Sequence, residues 1–143
     1  MTNDAGASLT EVLRHCTATA RRHRQAAERL GNQRTVGVLN RLAASREGIA
    51  EQLTFHLSAM PDRPGVQGAA SGASIEERAI RRAAERGPEA LLQQCLADEE
   101  RLSATASAAL DCPVPAPVRS ALERLRSDAR QAAARLRKAI DAG

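Results

Sequence analysis

The chain has 143 residues, 43% of them hydrophobic and 27% charged, which is the balance of an ordinary globular protein. Its formal net charge is +4, and Phe55 is its only Phe, Tyr or Trp. No apolar run approaches the ~20 residues of a membrane-spanning helix, and the N-terminus lacks the pattern of a signal peptide. We therefore expect a single cytoplasmic domain of 143 residues with an aliphatic core and no membrane partner.

Four stretches of the chain place one residue in every three or four on a common helical face, here called a seam. Four apolar seams leave water only by packing against one another, so the pattern predicts an all-α four-helix bundle. The seam positions are Leu9, Leu13, Cys16, Ala20, His23, Ala27 and Leu30, then Leu39, Leu42, Arg46, Ile49, Leu53, His56 and Met60, then Leu92, Cys95, Glu99, Leu102, Ala106 and Ala109, and finally Val118, Leu122, Leu125, Ala129, Ala132, Leu136 and Ala139.

Capping and turn residues predict where the first two helices begin and end. The first helix is expected over about 8–30, with Ser8 as its N-cap and a left-handed turn at Gly31-Asn32 as its stop. The second is expected over about 33–60 and ends at Pro61. Because the connection between them is so short, the two helices must be antiparallel neighbours.

A long connection follows the second helix and decides the predicted topology. Residues 61–73 are rich in Pro, Gly and Ser and predict a crossover, followed by a short extra helix over about 74–86. Further helices are expected over about 88–110 and 116–140. The crossover reaches about 40 Å at ~3.3 Å per residue, and a helix of about 25 residues is ~38 Å long. Two antiparallel hairpins joined by one long crossover, the ferritin-like arrangement, are therefore predicted.

Dispersed residues over nearly the whole chain also point to a known family. They are the stretch Leu9–Leu30 closing on Ala26-Ala27-Glu28, the stretch Leu39–Leu53 with Ala43-Ala44-Ser45-Arg46, and Glu99 with Ala109-Leu110 before a proline-containing turn. In these positions the chain resembles small bacterial ferritin-like four-helix proteins of uncharacterised function. The resemblance implies a ferritin-like fold and, by analogy with such bundles, a homodimer or another protein partner.

The resemblance also shows which metal ligands are missing. Ferritin-like di-iron centres take a glutamate from each of two helices and a Glu-x-x-His motif from each of the other two. No glutamate here has a histidine three residues later, and Ala20 stands at the position of the first helix that corresponds to Glu99. The di-iron positions are thus degenerate, and we expect no metal, no cofactor and no catalytic residue. A residual metal-binding or redox enzyme is the alternative.

Polar residues interrupt the seams near the helix midpoints. Arg46 and Glu99 are predicted to share one layer of the bundle, where a buried ion pair would fix helix register. The alternative is that Arg46 extends its alkyl stem along the core and reaches water. The seam histidine His23 is expected to be packed and hydrogen-bonded rather than a ligand.

The short extra helix is the candidate contact for a protein partner. Its apolar stripe, with Ile75 and Ile80, lies beside a basic face, and the alternative is that this stripe packs onto its own bundle. The residues proposed for the contact are Ile75, Arg78, Ile80 and Arg82.

The basic charge comes from arginine, since Lys138 is the only lysine. Arginines form a stripe on the last helix at positions 119, 126, 130 and 137, interleaved with acidic partners. A solvated face is the favoured interpretation, because aromatic platforms for single-stranded nucleic acid are missing. Nucleic-acid binding through arginine is kept as an alternative, and no small-molecule ligand is evident.

The three cysteines are odd in number and lack metal-like spacing. Cys16 and Cys95 are expected to be apolar filler about 12 Å apart along the bundle, too far for a disulfide. Cys112, at a turn, is the thiol expected to be most reactive. Taken together, the sequence predicts a non-enzymatic ferritin-like bundle with a structural or protein-interaction role and a lost metal site.

Overall fold

The computed structural model describes residues 5–59 and 73–142, and within these ranges the chain is helical and contains no strand. The all-α prediction is confirmed. None of the helices in these two ranges has the length and apolarity needed to cross a bilayer. The helices are α1 (Ala5–Arg29), α2 (Gln33–Ser58), α3 (Ala73–Arg86), α4 (Pro88–Leu110) and α5 (Ala116–Ala142).

The start of α1 differs from the sequence-based expectation. The helix begins at Ala5, so Ser8 lies inside it and is not an N-cap. Thr10 Oγ1 donates to the Gly6 carbonyl oxygen at 2.8 Å, which ties the additional turn to the rest of the helix. Ser8 Oγ instead lies 3.2 Å from the Cys112 sulfur, 104 residues away. A tertiary contact has therefore replaced the predicted local cap.

The turn between α1 and α2 also differs from its prediction. A left-handed residue at Gly31 or Asn32 was expected, but among the described residues only Gly87 has a positive φ. Asn32 is extended and caps α2, its side-chain oxygen accepting from the backbone N–H groups of Arg34 at 3.0 Å and Thr35 at 3.2 Å. The turn is therefore stabilised by the N-cap of α2, because the Asn32 side chain satisfies two backbone N–H groups that would otherwise have no partner.

Gly87 is the hinge between α3 and α4. Its φ of 112° is a conformation that residues with a side chain rarely adopt, and Pro88 follows as the first residue of α4. The Gly87 N–H donates to the carbonyls of Ala83 and Ala84, both at 3.2 Å, and closes the end of α3. The chain can therefore pass from one helix directly into the next.

Two apolar clusters show the direction of each helix. One cluster gathers the first part of α1, the last part of α2, the last part of α4 and the first part of α5. The other gathers the opposite ends of the same helices, together with α3. Helix α1 packs against α2 and α4, and α5 packs against α4 and α2. Each of these neighbours is antiparallel, and α2 lies diagonally across the bundle from α4.

Helix α3 covers one end of the bundle, which corrects the partner-contact prediction for Ile80. Ile80 is 1% exposed and Ala83 is 2% exposed, and both belong to the apolar cluster that includes Leu91. Burying this stripe on the bundle removes Ile80 from any partner surface. Arg78 and Arg82 are exposed, and the side chain of Ile75 lies outside the described part of the structure. The predicted crossover, residues 61–73, lies outside the described residues except for Ala73, where α3 begins.

Candidate functional site: a buried ion-pair network

Glu99 is the centre of a polar network inside the bundle. Arg46 reaches it from α2, with Nε donating to Oε2 at 3.3 Å and Nη2 donating to Oε1. His23 reaches it from α1, with Nε2 at 2.7 Å from Oε2. All three side chains are 0% exposed. The two seam residues predicted to share a layer therefore form an ion pair, and Arg46 does not extend to water.

The network lies between the two apolar clusters that fill the ends of the bundle. Ala20 precedes His23 by three residues on α1, and Ala43 precedes Arg46 by three residues on α2; both are buried. Neither alanine belongs to an apolar cluster. Small side chains one turn away leave room in the middle layer for the long arginine stem to cross from α2 to α4.

A second buried pair joins α1 to α4 beside the first. Arg22 Nε donates to Asp98 Oδ2 at 2.8 Å, and these residues are 4% and 1% exposed. Gln94 Nε2 donates to the other oxygen, Asp98 Oδ1, at 3.3 Å, and Arg101 Nη1 lies 3.8 Å from it. The Asp98 carboxylate thus pairs with the positive charge of Arg22, and each of its two oxygens accepts a hydrogen bond.

The seam pattern does not predict this second pair, because Arg22 and Asp98 occupy no seam position. One signal in the sequence could have found it. Each of the two residues is the immediate chain neighbour of a polar seam residue, His23 or Glu99. When α1 and α4 are rotated about their axes so that His23 faces Glu99, the preceding residues, Arg22 and Asp98, also lie near the contact between these two helices.

The charge of Glu99 is set by two opposing effects. Burial by itself raises the pKa of Glu99, but hydrogen bonds from His23 and Arg46, together with the positive charge of Arg46, lower it by more. The pKa of Glu99 is therefore below its ordinary value, and the carboxylate is ionised at neutral pH. With Nε2 donating to this carboxylate, the other ring nitrogen of His23, Nδ1, is buried and has no hydrogen-bond partner.

This donor set does not fit a di-iron centre. Such a centre needs several carboxylates whose oxygens bridge two cations. Here both oxygens of Glu99 accept from protein donors, and one of the donors is the permanently charged guanidinium of Arg46. Within residues 5–59 and 73–142, no group of three or more His, Cys, Asp or Glu side chains is arranged to hold a metal ion.

The cysteines are buried thiols. Burial raises the pKa of Cys16 to about 12 and also raises the pKa of Cys95. Cys112, the thiol expected to be most reactive, is only 5% exposed, and its sulfur packs near Ser8 Oγ and the Ala108 carbonyl. The start of α1 covers the turn that holds this residue, and its greater reactivity relative to the other two thiols stays a prediction.

Several surface arginines have local partners. On α5, Arg137 forms an ion pair with Glu100 of α4, and Arg119 donates to the Leu110 carbonyl at 3.2 Å. Between α1 and α2, Arg24 makes a two-pronged contact with Glu47, with Nη2 at 2.6 Å and Nε at 3.1 Å from its two oxygens. These arginines belong to the solvated helix faces expected from the interleaved charges.

Two grooves open between α2 and α5, which contact each other over a shorter stretch than the helices within each hairpin. One groove, of about 240 Å³, is lined by residues that include Arg41, Ser45, Arg46, Asp128 and Arg135. Arg46 Nη1 donates to Ser45 Oγ at 3.2 Å on this side of the network. The other groove, of about 450 Å³, is lined by Glu51, Gln52, Phe55, His56, Pro117 and Arg124.

Comparison of the chain with protein-family models, with curated proteins and with solved structures finds no match. Its function is therefore inferred from the buried network and from the surface around it.

Proposed function

We propose that this chain is a non-enzymatic bundle of the ferritin-like type that serves as a structural or protein-interaction module and associates with itself. In this proposal, the ion pair of Arg46 and Glu99 occupies the place of a metal centre. The observation that supports it most directly is that both oxygens of Glu99 accept from Arg46 and His23 in a layer closed to solvent. Both oxygens of this residue are thus engaged by protein donors, one of which carries a permanent positive charge.

The directions of the helices support the ferritin-like part of the proposal. Helices α1 and α5 run one way, and α2 and α4 run the other way, with each parallel pair on a diagonal. Helix α2 ends where α1 begins, and α3 packs at the opposite end. Two antiparallel hairpins in this order, rather than a simple up-down-up-down sequence, are typical of ferritin-like bundles.

The chemistry of the network supports a structural role for the interior. A guanidinium is charged at every physiological pH, so it repels a cation that approaches Glu99. A buried ion pair contributes little net stability, because the loss of hydration of both ions offsets their attraction. Its value lies in specificity, since the hydrogen bonds of Arg46 and His23 to Glu99 form only in one register of α1, α2 and α4.

Iron binding tests the loss of the metal site. The purified protein is incubated anaerobically with ferrous iron, desalted, and measured for iron per chain, with Glu99→Gln as the matched variant. We expect both proteins to retain no more than trace iron. Two irons per wild-type chain, absent from Glu99→Gln, would overturn the proposal.

Oligomeric state tests the self-association separately. Light scattering coupled to gel filtration, over a series of protein concentrations, gives the mass of the native species. We expect the mass to rise with concentration toward that of a dimer. A monomer mass at every concentration would contradict self-association. It would not affect the conclusion that the iron experiment gives about the metal site.

A further inference from the structure

Phe55 is exposed although it is the only large aromatic side chain of the protein. It is 71% exposed near the end of α2, whereas the core is built from aliphatic residues. Its ring meets the ring of His56 edge to face, with centroids 5.5 Å apart. Aromatic side chains bury the most apolar surface of any residue when an interface closes over them. An exposed phenylalanine beside a groove therefore offers apolar surface that a partner would bury on docking.

The groove beside Phe55 has walls of opposite charge. Glu51 and Gln52 stand on the α2 wall, and Pro117 and Arg124 stand on the α5 wall. Glu51 and Arg124 are both exposed, and no salt bridge holds either of them within the described ranges. Each wall therefore offers one unpaired charge that the other wall complements.

Resting on the self-association proposed above, we propose that this groove docks a second copy of the chain through a two-fold axis running parallel to α2 and α5. Such an axis exchanges the two walls, so α2 of one copy faces α5 of the other. Glu51 then meets Arg124 of the second copy, and the reciprocal pair forms on the other side of the axis. Phe55 packs against Pro117 of the second copy.

The charges select this orientation over the alternatives. A two-fold axis perpendicular to the helices at the same level would place Glu51 opposite Glu51 and Arg124 opposite Arg124, which like-charge repulsion disfavours. Farther along the same face, the smaller groove carries Arg41 on the α2 wall and both Asp128 and Arg135 on the α5 wall. The same axis also opposes this part of the face, where Arg41 of one copy meets both the negative charge of Asp128 and the positive charge of Arg135 on the other copy. The orientation is therefore selected by the charges at the Phe55 end.

The first experiment removes the aromatic contact. The dimer dissociation constant of Phe55→Ala is measured by sedimentation equilibrium beside that of the wild type, and circular dichroism checks that both are folded. We expect about 30-fold weaker association, as for a central interface aromatic. Arg130→Glu, an exposed change on α5 outside either groove, is the matched control and is expected to associate like the wild type.

The second experiment tests the pairing of charges. Glu51→Arg and Arg124→Glu are each expected to weaken association, and the two combined are expected to restore it toward the wild-type value. A double variant no better than either single variant, or a Phe55→Ala variant that associates like the wild type, would overturn this interface while leaving self-association intact. A wild-type protein that stays monomeric would overturn both.

Discussion

Arg46 and Glu99 form an ion pair across the diagonal of the bundle, from two helices that are not packed as neighbours. Arg46 Nε lies 3.3 Å from Glu99 Oε2, and neither residue is exposed to solvent. His23 joins the same carboxylate from α1, so one side chain of α4 is hydrogen-bonded to both α1 and α2. The pair therefore links the two hairpins at their centre, where a shift in register would leave two charges buried without partners.

Replacing Glu99 with glutamine is expected to destabilise the fold strongly. The amide is close in size to the carboxylate but uncharged, so Arg46 keeps its burial and loses its counter-ion. Breaking a buried pair on one side costs about 3–5 kcal/mol of unfolding free energy. Urea denaturation at neutral pH measures this loss. Glu47→Gln, in the exposed contact with Arg24, is the control and should unfold close to the wild type.

Removing both charges together is expected to cost less than the sum of the single changes. In Arg46→Met combined with Glu99→Met, neither buried charge is left alone, and apolar side chains of similar length refill the layer. A double-mutant cycle of unfolding free energies measures the coupling, which we expect to be favourable and above about 1 kcal/mol. Additive effects would show that the two side chains act independently.

The stability from Glu99 is expected to depend on acid pH. Because the folded pKa of Glu99 is below its ordinary value of 4.5, unfolding takes up a proton as the pH falls below that value. The stabilisation that ionised Glu99 gives the fold is complete above pH 4.5, and it is lost as the pH falls through the pKa of Glu99 in the folded protein. We expect the difference in unfolding free energy between the wild type and Glu99→Gln to shrink over this range. A difference that stayed constant down to pH 3 would contradict the assigned ionisation.

Helix α3 is expected to stabilise the bundle through Ile80. Truncation by Ile80→Ala removes a fully buried side chain from the apolar cluster at this end and is expected to cost about 2–5 kcal/mol. Arg82→Ala, on the exposed face of the same helix, should change the unfolding free energy by less than about 0.5 kcal/mol. Thermal denaturation of the two variants compares them. Equal melting temperatures would show that α3 does not need this contact.

Some local predictions failed where tertiary contacts compete with local signals. Ser8 has the chemistry of an N-cap, but α1 starts earlier and Ser8 packs near the Cys112 sulfur. Gly31 was expected to adopt a left-handed turn, but the capping side chain of Asn32 stabilises the connection instead. Cys112 lies in a turn, and the same N-terminal part of α1 leaves it only 5% exposed, a tertiary effect that its local sequence does not indicate.

The helices themselves follow from the sequence alone, because their hydrogen bonds and amphipathic spacing are local and because Pro and Gly stop them. The structure gives Pro88–Leu110 for the helix expected over about 88–110, and Arg46, Glu99 and His23 stand out as polar residues in apolar seams. The sequence does not say which of these three residues pair, nor that Arg22 meets Asp98 beside them. Both outcomes depend on how α1 and α4 are rotated about their own axes. Those rotations are decided by packing between residues 76 positions apart in the chain, and only the folded bundle determines them.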